Sequence, residues 1–228
     1  SIAIGAESDA ARLGSIALGK GAQATGSGST IAIGEFATTF NGLGSPIAIG
    51  YQANTTGAYG VGLGYQTVTS GAQGIAIGYI ASATATDSIA IGRQLTTTGQ
   101  EAIGIGHGAE ASGGTSISIG ADSEATVAGS IAVGKSASAT GVGVPIAIGR
   151  NTTSSGAYCV SMGEAAIASG AQSLAIGYEA EANNDNGIAI GRQLTVAGQK
   201  AIGIGWGAVA GASDSIGIGT FANALNTY

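Results

Sequence analysis

A five-residue phrase, Ser1-Ile2-Ala3-Ile4-Gly5, returns with variations sixteen times along the chain. Its closing glycines run from Gly5, Gly19 and Gly34 to Gly191, Gly205 and Gly219, and twelve of the fifteen intervals are 14 residues. The other three, after Gly19, Gly34 and Gly134, are one or two residues longer, where glycine-rich or proline-bearing loops absorb the surplus. A repeat this short holds two strands and two turns, but no helix-turn-helix unit. The period alone therefore selects an all-β solenoid.

Within each repeat the alternation has period two, the mark of a strand. The two outer positions of the phrase are Ile, Leu, Val or Met in every copy, from Ile2 and Ile4 to Ile216 and Ile218. The residue between them is only Ala, Gly or Ser. Three and five residues past each glycine stand small residues, as in Ala22 and Ala24, Ala53 and Thr55, Ala109 and Ala111, Ala137 and Ala139. Polar ones lie between: Gln23, Asn54, Glu110, Glu124, Glu181. That is a second strand, small inside and polar outside. Seven past the glycine comes Gly nine times and Asn three times (Asn41, Asn184, Asn226). These residues best tolerate a left-handed backbone, so a left-handed turn is expected there. The expectation is a parallel β-roll, or β-solenoid, of about sixteen 14-residue coils with two sheets.

Which face of the first strand lies inside is less determined. Branched pairs opposite alanine pairs would fill a flattened roll. The tiny face, Ala3, Ala17, Ala48, Gly62, Ala90, Gly104, Ser118, Ser161, Gly203 and Gly217, would then approach another sheet, most simply copies of the same chain about an axis. The opposite assignment, with the branched residues at the axis, stays open. Either way the core is thin and an obligate homo-oligomer is expected. Residues 1–228 read as a single domain without a break in composition. Inside it, blocks near 46–144 and 145–228 are related by a shift of 99 residues: Pro46-Ile47-Ala48-Ile49-Gly50 recurs as Pro145-Ile146-Ala147-Ile148-Gly149.

Composition narrows the function. Forty-three glycines among 228 residues speak against helices. A formal charge of −6 argues against a general nucleic-acid binder held by phosphate contacts. Cys159 is the only cysteine, so no disulfide closes within the chain. No charge occurs from Phe36 to Thr86, yet glycines and hydroxyls interrupt that stretch too often for a membrane helix. The chain reads as soluble, without a signal peptide, and as a piece of something longer.

The phrase Ser-Ile-Ala-Ile-Gly-x-x-Ala-x-Ala-x-Gly, spread over essentially the whole chain, resembles the head repeat of trimeric autotransporter adhesins, the family of Yersinia adhesin A. The resemblance implies left-handed parallel β-rolls assembled as homotrimers on the Gram-negative outer membrane. Membrane attachment would come only through a C-terminal anchor that this sequence does not contain. The family's repeat often opens with Asn before Ser; here that slot holds Gly14, Ser29, Tyr59 or Asp87.

Catalytic patterns are few. Gly129-Ser130-Ile131-Ala132-Val133-Gly134-Lys135-Ser136 satisfies the phosphate-loop spelling, but its middle residues are themselves a strand and no helix should follow. His107 is the lone histidine, and Cys159 lies almost four coils away, about 18 Å at roughly 4.8 Å per coil. Acidic residues lack the Asp-rich turns of calcium-binding solenoids. No enzyme, metal or cofactor is expected.

The column just after each glycine is the informative surface. Tyr51, Tyr65, Tyr79, Arg93 and His107 fall on consecutive coils, and Tyr178 and Trp206 occupy the same register further on. Aromatics and Arg are enriched at interfaces. The column is a stripe for ligand or for subunit contact, and the sequence does not separate the two. The expected function is a non-enzymatic adhesin head on the bacterial cell surface. It would attach to an extracellular matrix protein, a host cell or another surface ligand through a rigid multivalent trimer. A phage or prophage fibre segment is the alternative. A hexapeptide-repeat acyltransferase would need another period, and an ice-binding solenoid would need unbroken threonine ranks.

Overall fold

The structure, a computed structural model, describes residues 1–40 and 44–225; Asn41 and Asn226, two of the expected turn residues, lie outside them. It is an all-β parallel solenoid of about sixteen turns, and the described residues contain no helix. The chain divides into two compact units, Ser1–Thr115 and Ser116–Tyr228.

In the first unit, first strands from Ile2–Ile4 to Ile103–His107 form one parallel sheet, and second strands from Asp9–Ala10 to Glu110–Ala111 form another. In the second unit the corresponding strands run from Ile117–Ile119 to Ile216–Ile218 and from Glu124–Ala125 to Asn223–Ala224. Register follows the repeat without slippage, as in Ile75↔Ile89, Ala76↔Ala90 and Ile77↔Ile91. Equivalent residues therefore stack into columns.

Two turns close each coil. In several coils the carbonyl of the phrase glycine accepts from the N–H three residues on, as in Ala22 N–H to Gly19 O at 3.3 Å and Ala37 N–H to Gly34 O at 3.2 Å. The second turn repeats this pattern, with Gly60 N–H to Gly57 O at 3.0 Å and Ala102 N–H to Gly99 O at 3.3 Å. Outside the three longer loops the third residue of each turn has positive φ, the signature of a type II turn. It is Gln52 (φ 51), Gln66 (φ 50) or Gln94 (φ 51) in the first turn, and Tyr59 (φ 58), Asp87 (φ 56) or Glu101 (φ 57) in the second. The slot that the resembled repeat often fills with Asn is thus a left-handed position, where Asn is tolerated well.

This corrects the expected place of the left-handed backbone. Gly57, Gly71 and Gly99, seven past the phrase glycine, have no positive φ. They are glycine because coils stack backbone on backbone: a Cβ on Gly57 would run into the Gly71 carbonyl oxygen, and one on Gly99 into that of Gly113.

The faces of the first strand are also the reverse of the first assignment. Ala17, Ala48, Ala90, Ser118 and Ser161 have no exposed surface, and Gly62, Gly104, Gly203 and Gly217 are buried with them. Ala3, in the first coil, shares the face but is exposed. These residues pack inside their own chain, against Ala22, Ala24, Ala53, Ala109, Ala111, Ala137 and Ala139 of the second strands. None of the branched residues of the phrase is buried, from Ile2 and Ile4 through Val61 and Leu63 to Ile216 and Ile218. Two alanine faces meeting bring the sheets close together. The tiny face is small because the interior has no room, and no neighbouring chain is needed to explain it.

Close packing makes volume a shared quantity. A Cβ on Gly104 would lie 2.5 Å from Thr97 Oγ1, and one on Gly203 would lie 2.7 Å from Val196 Cγ2. Gly62, Gly104 and Gly203 stand in the first strand where the facing strand carries a larger side chain. Buried hydroxyls return bonds to the opposite strand: Thr55 donates to Ile47 O at 3.0 Å and Thr97 to Ile89 O at 3.1 Å. The serine that opens the phrase donates back across the second turn, Ser88 to Ala85 O at 2.7 Å and Ser173 to Gly170 O at 2.7 Å.

Candidate interaction surfaces

From Tyr65 to His107 the column after the phrase glycine lies on the branched face, because there the first strand keeps its alternation as far as that residue. Strands such as Val61–Tyr65, Ile75–Tyr79 and Ile89–Arg93 include it. Stacking then forces like onto like. Tyr51 and Tyr65 have ring centroids 5.2 Å apart at 15°, and Tyr65 and Tyr79 are 4.9 Å apart at 7°. Arg93 sits 5.8 Å from the Tyr79 centroid, and it pairs in register with His107 on the next coil. The expected ladder of Tyr51, Tyr65, Tyr79, Arg93 and His107 is therefore continuous within the first unit. Its ring faces are used on one another, so ring edges and hydroxyls face outward. One residue further on, Gln66 Nε2 donates to Gln52 Oε1 at 2.7 Å, a second ladder beside the first.

The second unit builds the same column differently. Arg150 pairs with Glu164. Arg192 lies between two aromatic rings, 5.5 Å from the Tyr178 centroid and 6.0 Å from that of Trp206. Trp206 also packs on Phe221 at 5.0 Å. Beside the column, Gln193 Nε2 donates to Glu179 Oε2 at 3.0 Å. The Gln193 bond, then that of Tyr178, holds the Glu179 carboxyl below its ordinary range.

The outward side of the second sheet is polar and varied. In the first unit it carries a depression of about 230 Å³ lined by Gln94, Thr96, Thr98, Gly108, Ala109 and Glu110. Among the described residues no three of His, Cys, Asp and Glu gather as a metal site.

Cys159 occupies the place of the phrase-opening serine and, like it, bonds back across the turn, Sγ to Gly156 O at 3.0 Å. Burial raises its pKa, the opposite of an activated thiol. It is enclosed within its own chain, so thiols of neighbouring copies would not meet through this face. In the phosphate-loop spelling, Ile131–Val133 is a strand, and Ser136 with φ 53 opens into another turn. No helix end is there to receive a phosphate.

Fold and surface together define a repeat solenoid with a close-packed, uncharged interior, one unburied apolar face and variable chemistry along its turns. The family model described as the YadA head domain repeat (2 copies) matches residues 1–22, 13–34, 47–67, 56–79, 70–94, 98–123 and 168–193, more than half of the chain. The chain belongs to that family, the head repeats of trimeric autotransporter adhesins. A comparison with curated proteins returned no match. The unmatched stretch 124–167 carries the same coil pattern, from Glu124–Ala125 to Ile167–Ala168.

Proposed function

We propose that this chain is the non-enzymatic head of a homotrimeric adhesin presented on a bacterial cell surface. One observation carries the reading: the branched face is apolar in every coil and buried in none. In the first unit alone it spans eight coils, about 38 Å at roughly 4.8 Å per coil. A monomer rarely leaves a continuous apolar surface of this kind open to water. Copies that turn these faces toward a common axis bury it, and the second sheet then faces outward.

The outward row of the second sheet, with Gln23, Asn54, Val68, Thr96 and Glu110, is the surface left for host ligands. It changes in charge and size from coil to coil, while the interior stays uncharged and close-packed. Three copies on one rigid stack would multiply weak contacts into useful avidity. Sedimentation of the purified chain should give a trimer, and a stable folded monomer would sink the proposal. Binding of that trimer to immobilised collagen, fibronectin and other matrix proteins then tests adhesion. Replacement of Thr96 and Glu110 by Ala should weaken a true ligand contact without changing the sedimented mass.

A further inference from the structure

The apolar face has two edges, and in two adjoining coils their chemistry is complementary at the same height. Along one coil the outer residues run Asp87, Ile89, Ile91, Arg93; along the next they run Glu101, Ile103, Ile105, His107. In each case an acid opens the row and a basic residue ends it. All four polar residues are exposed. Among the described residues, neither Asp87 nor Glu101 forms an ion pair within the chain. The two ends of one row are about 20 Å apart in an extended strand, at roughly 3.3 Å per residue, so they do not meet within one copy.

A rotation axis parallel to the stack changes nothing in height. It brings the end of each first strand in one copy against the start of the same coil's first strand in the next. We infer that the apolar face closes against a second copy coil on coil, with Asp87 of one protomer beside Arg93 of its partner and Glu101 beside His107. This rests on the homo-oligomer proposed above and adds its register and its contacts. The duplication supports the pairing from within the sequence. Ninety-nine residues on, Asp87 and Arg93 become Asn186 and Arg192, while Glu101 and His107 become Lys200 and Trp206. Where the acid is replaced by a cation, the base opposite is replaced by an aromatic ring, a partner that attracts cations. Both edges changed together, and no like charges were placed opposite each other.

Register matters because every coil offers the same Ile-Ala-Ile surface. A slip of one coil would bury the face almost as well, but it generates an open helix rather than a closed ring. Edge residues that differ from coil to coil distinguish the closed arrangement from its slipped forms.

Exposed ion pairs contribute too little to be judged by stability alone, so the test is geometric. In the full chain, Asp87→Cys combined with Arg93→Cys should give covalent oligomers with a short bis-maleimide reagent. Either single variant should give none, as should an offset pair, Asp87→Cys with Tyr51→Cys, three coils or about 14 Å apart in height. Glu101→Cys with His107→Cys should behave as the matched pair does. If the chain sediments as an oligomer but the matched pairs stay uncoupled, or the offset pair couples equally well, the coil-on-coil pairing is wrong and the assembly stands. A monomeric wild-type chain would overturn both.

Discussion

The coil around Gly60 and Gly62 and its counterpart 99 residues on solve one packing problem in two ways. In the first, Gly60 and Gly62 face Thr55, Thr67 and Thr69, all buried. In the second, Cys159 and Ser161 face Ser154, Ala166 and Ala168, all equally buried. Volume has moved from one sheet to the other while the backbone repeat is unchanged. The hydroxyl bonds were redrawn in step. Thr55 and Thr69 donate to Ile47 O and Val61 O in the first coil, whereas Ser154 bonds both Ile146 O and Ser161 Oγ, each at 2.6 Å, in the second. The interior is therefore constrained as a sum across the two sheets, with each position free to vary against its opposite.

The strongest way to break this balance is to add volume on one side only. Gly62→Ser should destabilise by about 2 kcal/mol, within the usual range for overpacking, because a Cβ there lies 2.5 Å from Thr55 Oγ1 and 3.2 Å from Thr67 Oγ1 and Thr69 Oγ1. Adding Thr55→Ser and Thr69→Ala gives facing residues of the later coil, Ser154 and Ala168, lets the hydroxyl at 55 turn as that of Ser154 does toward Ser161, and should return most of the loss. Thermal unfolding of the single and triple variants reads this directly. A triple variant no more stable than the single one would mean the two sheets do not share their volume.

A smaller effect separates the two edge columns. Tyr65 stacks on Tyr51 and Tyr79, and offset ring pairs contribute about 0.5–1.5 kcal/mol each. Tyr65→Ala should therefore cost about 1–3 kcal/mol. Its counterpart Glu164 is held only by the exposed pair with Arg150, so Glu164→Gln should change stability by less than about 1 kcal/mol, and less again in high salt. Equal losses at the two sites would show that the tyrosines stack without contributing.

The period, the strand pairs, the register and the ladder from Tyr51 to His107 were all legible in the sequence, because a repeat of fixed length forces equivalent residues into columns. The inside of the roll was not. Alternation places Ile2 and Ile4 opposite Ala3 but does not say which side is wet. The deciding signal lies between strands: Gly62 with Thr55, Gly104 with Thr97 and Gly203 with Val196 are size exchanges that only facing residues would make. The left-handed turn positions were missed for a related reason. Gln52, Ile80 and Asp87 have positive φ although none is glycine, because stacking on identical turns holds each one there. In Gly57 and Gly99, close backbone approach selects glycine without any unusual φ.

The mildest prediction concerns acid, and it asks whether edge chemistry is portable between blocks. Glu179 corresponds to Ile80, Gln193 to Gln94 and Tyr178 to Tyr79. Glu179 has its pKa lowered from 4.5 by its bonds to Gln193 and Tyr178. A lowered folded-state value means stability that is fully present above the unfolded pKa and lost as pH falls through the folded one. At pH 7 the wild-type chain should melt slightly above Glu179→Gln, and the difference should shrink as pH falls through the lowered folded value. The first block has no such group, since Ile80 cannot titrate. Ile80→Glu places a carboxylate beside Gln94 and Tyr79 and should import the same acid dependence there, on top of that of Glu179. If the Ile80→Glu chain has an acid profile parallel to wild type, the two edges differ in their turn geometry and not merely in the residues they carry.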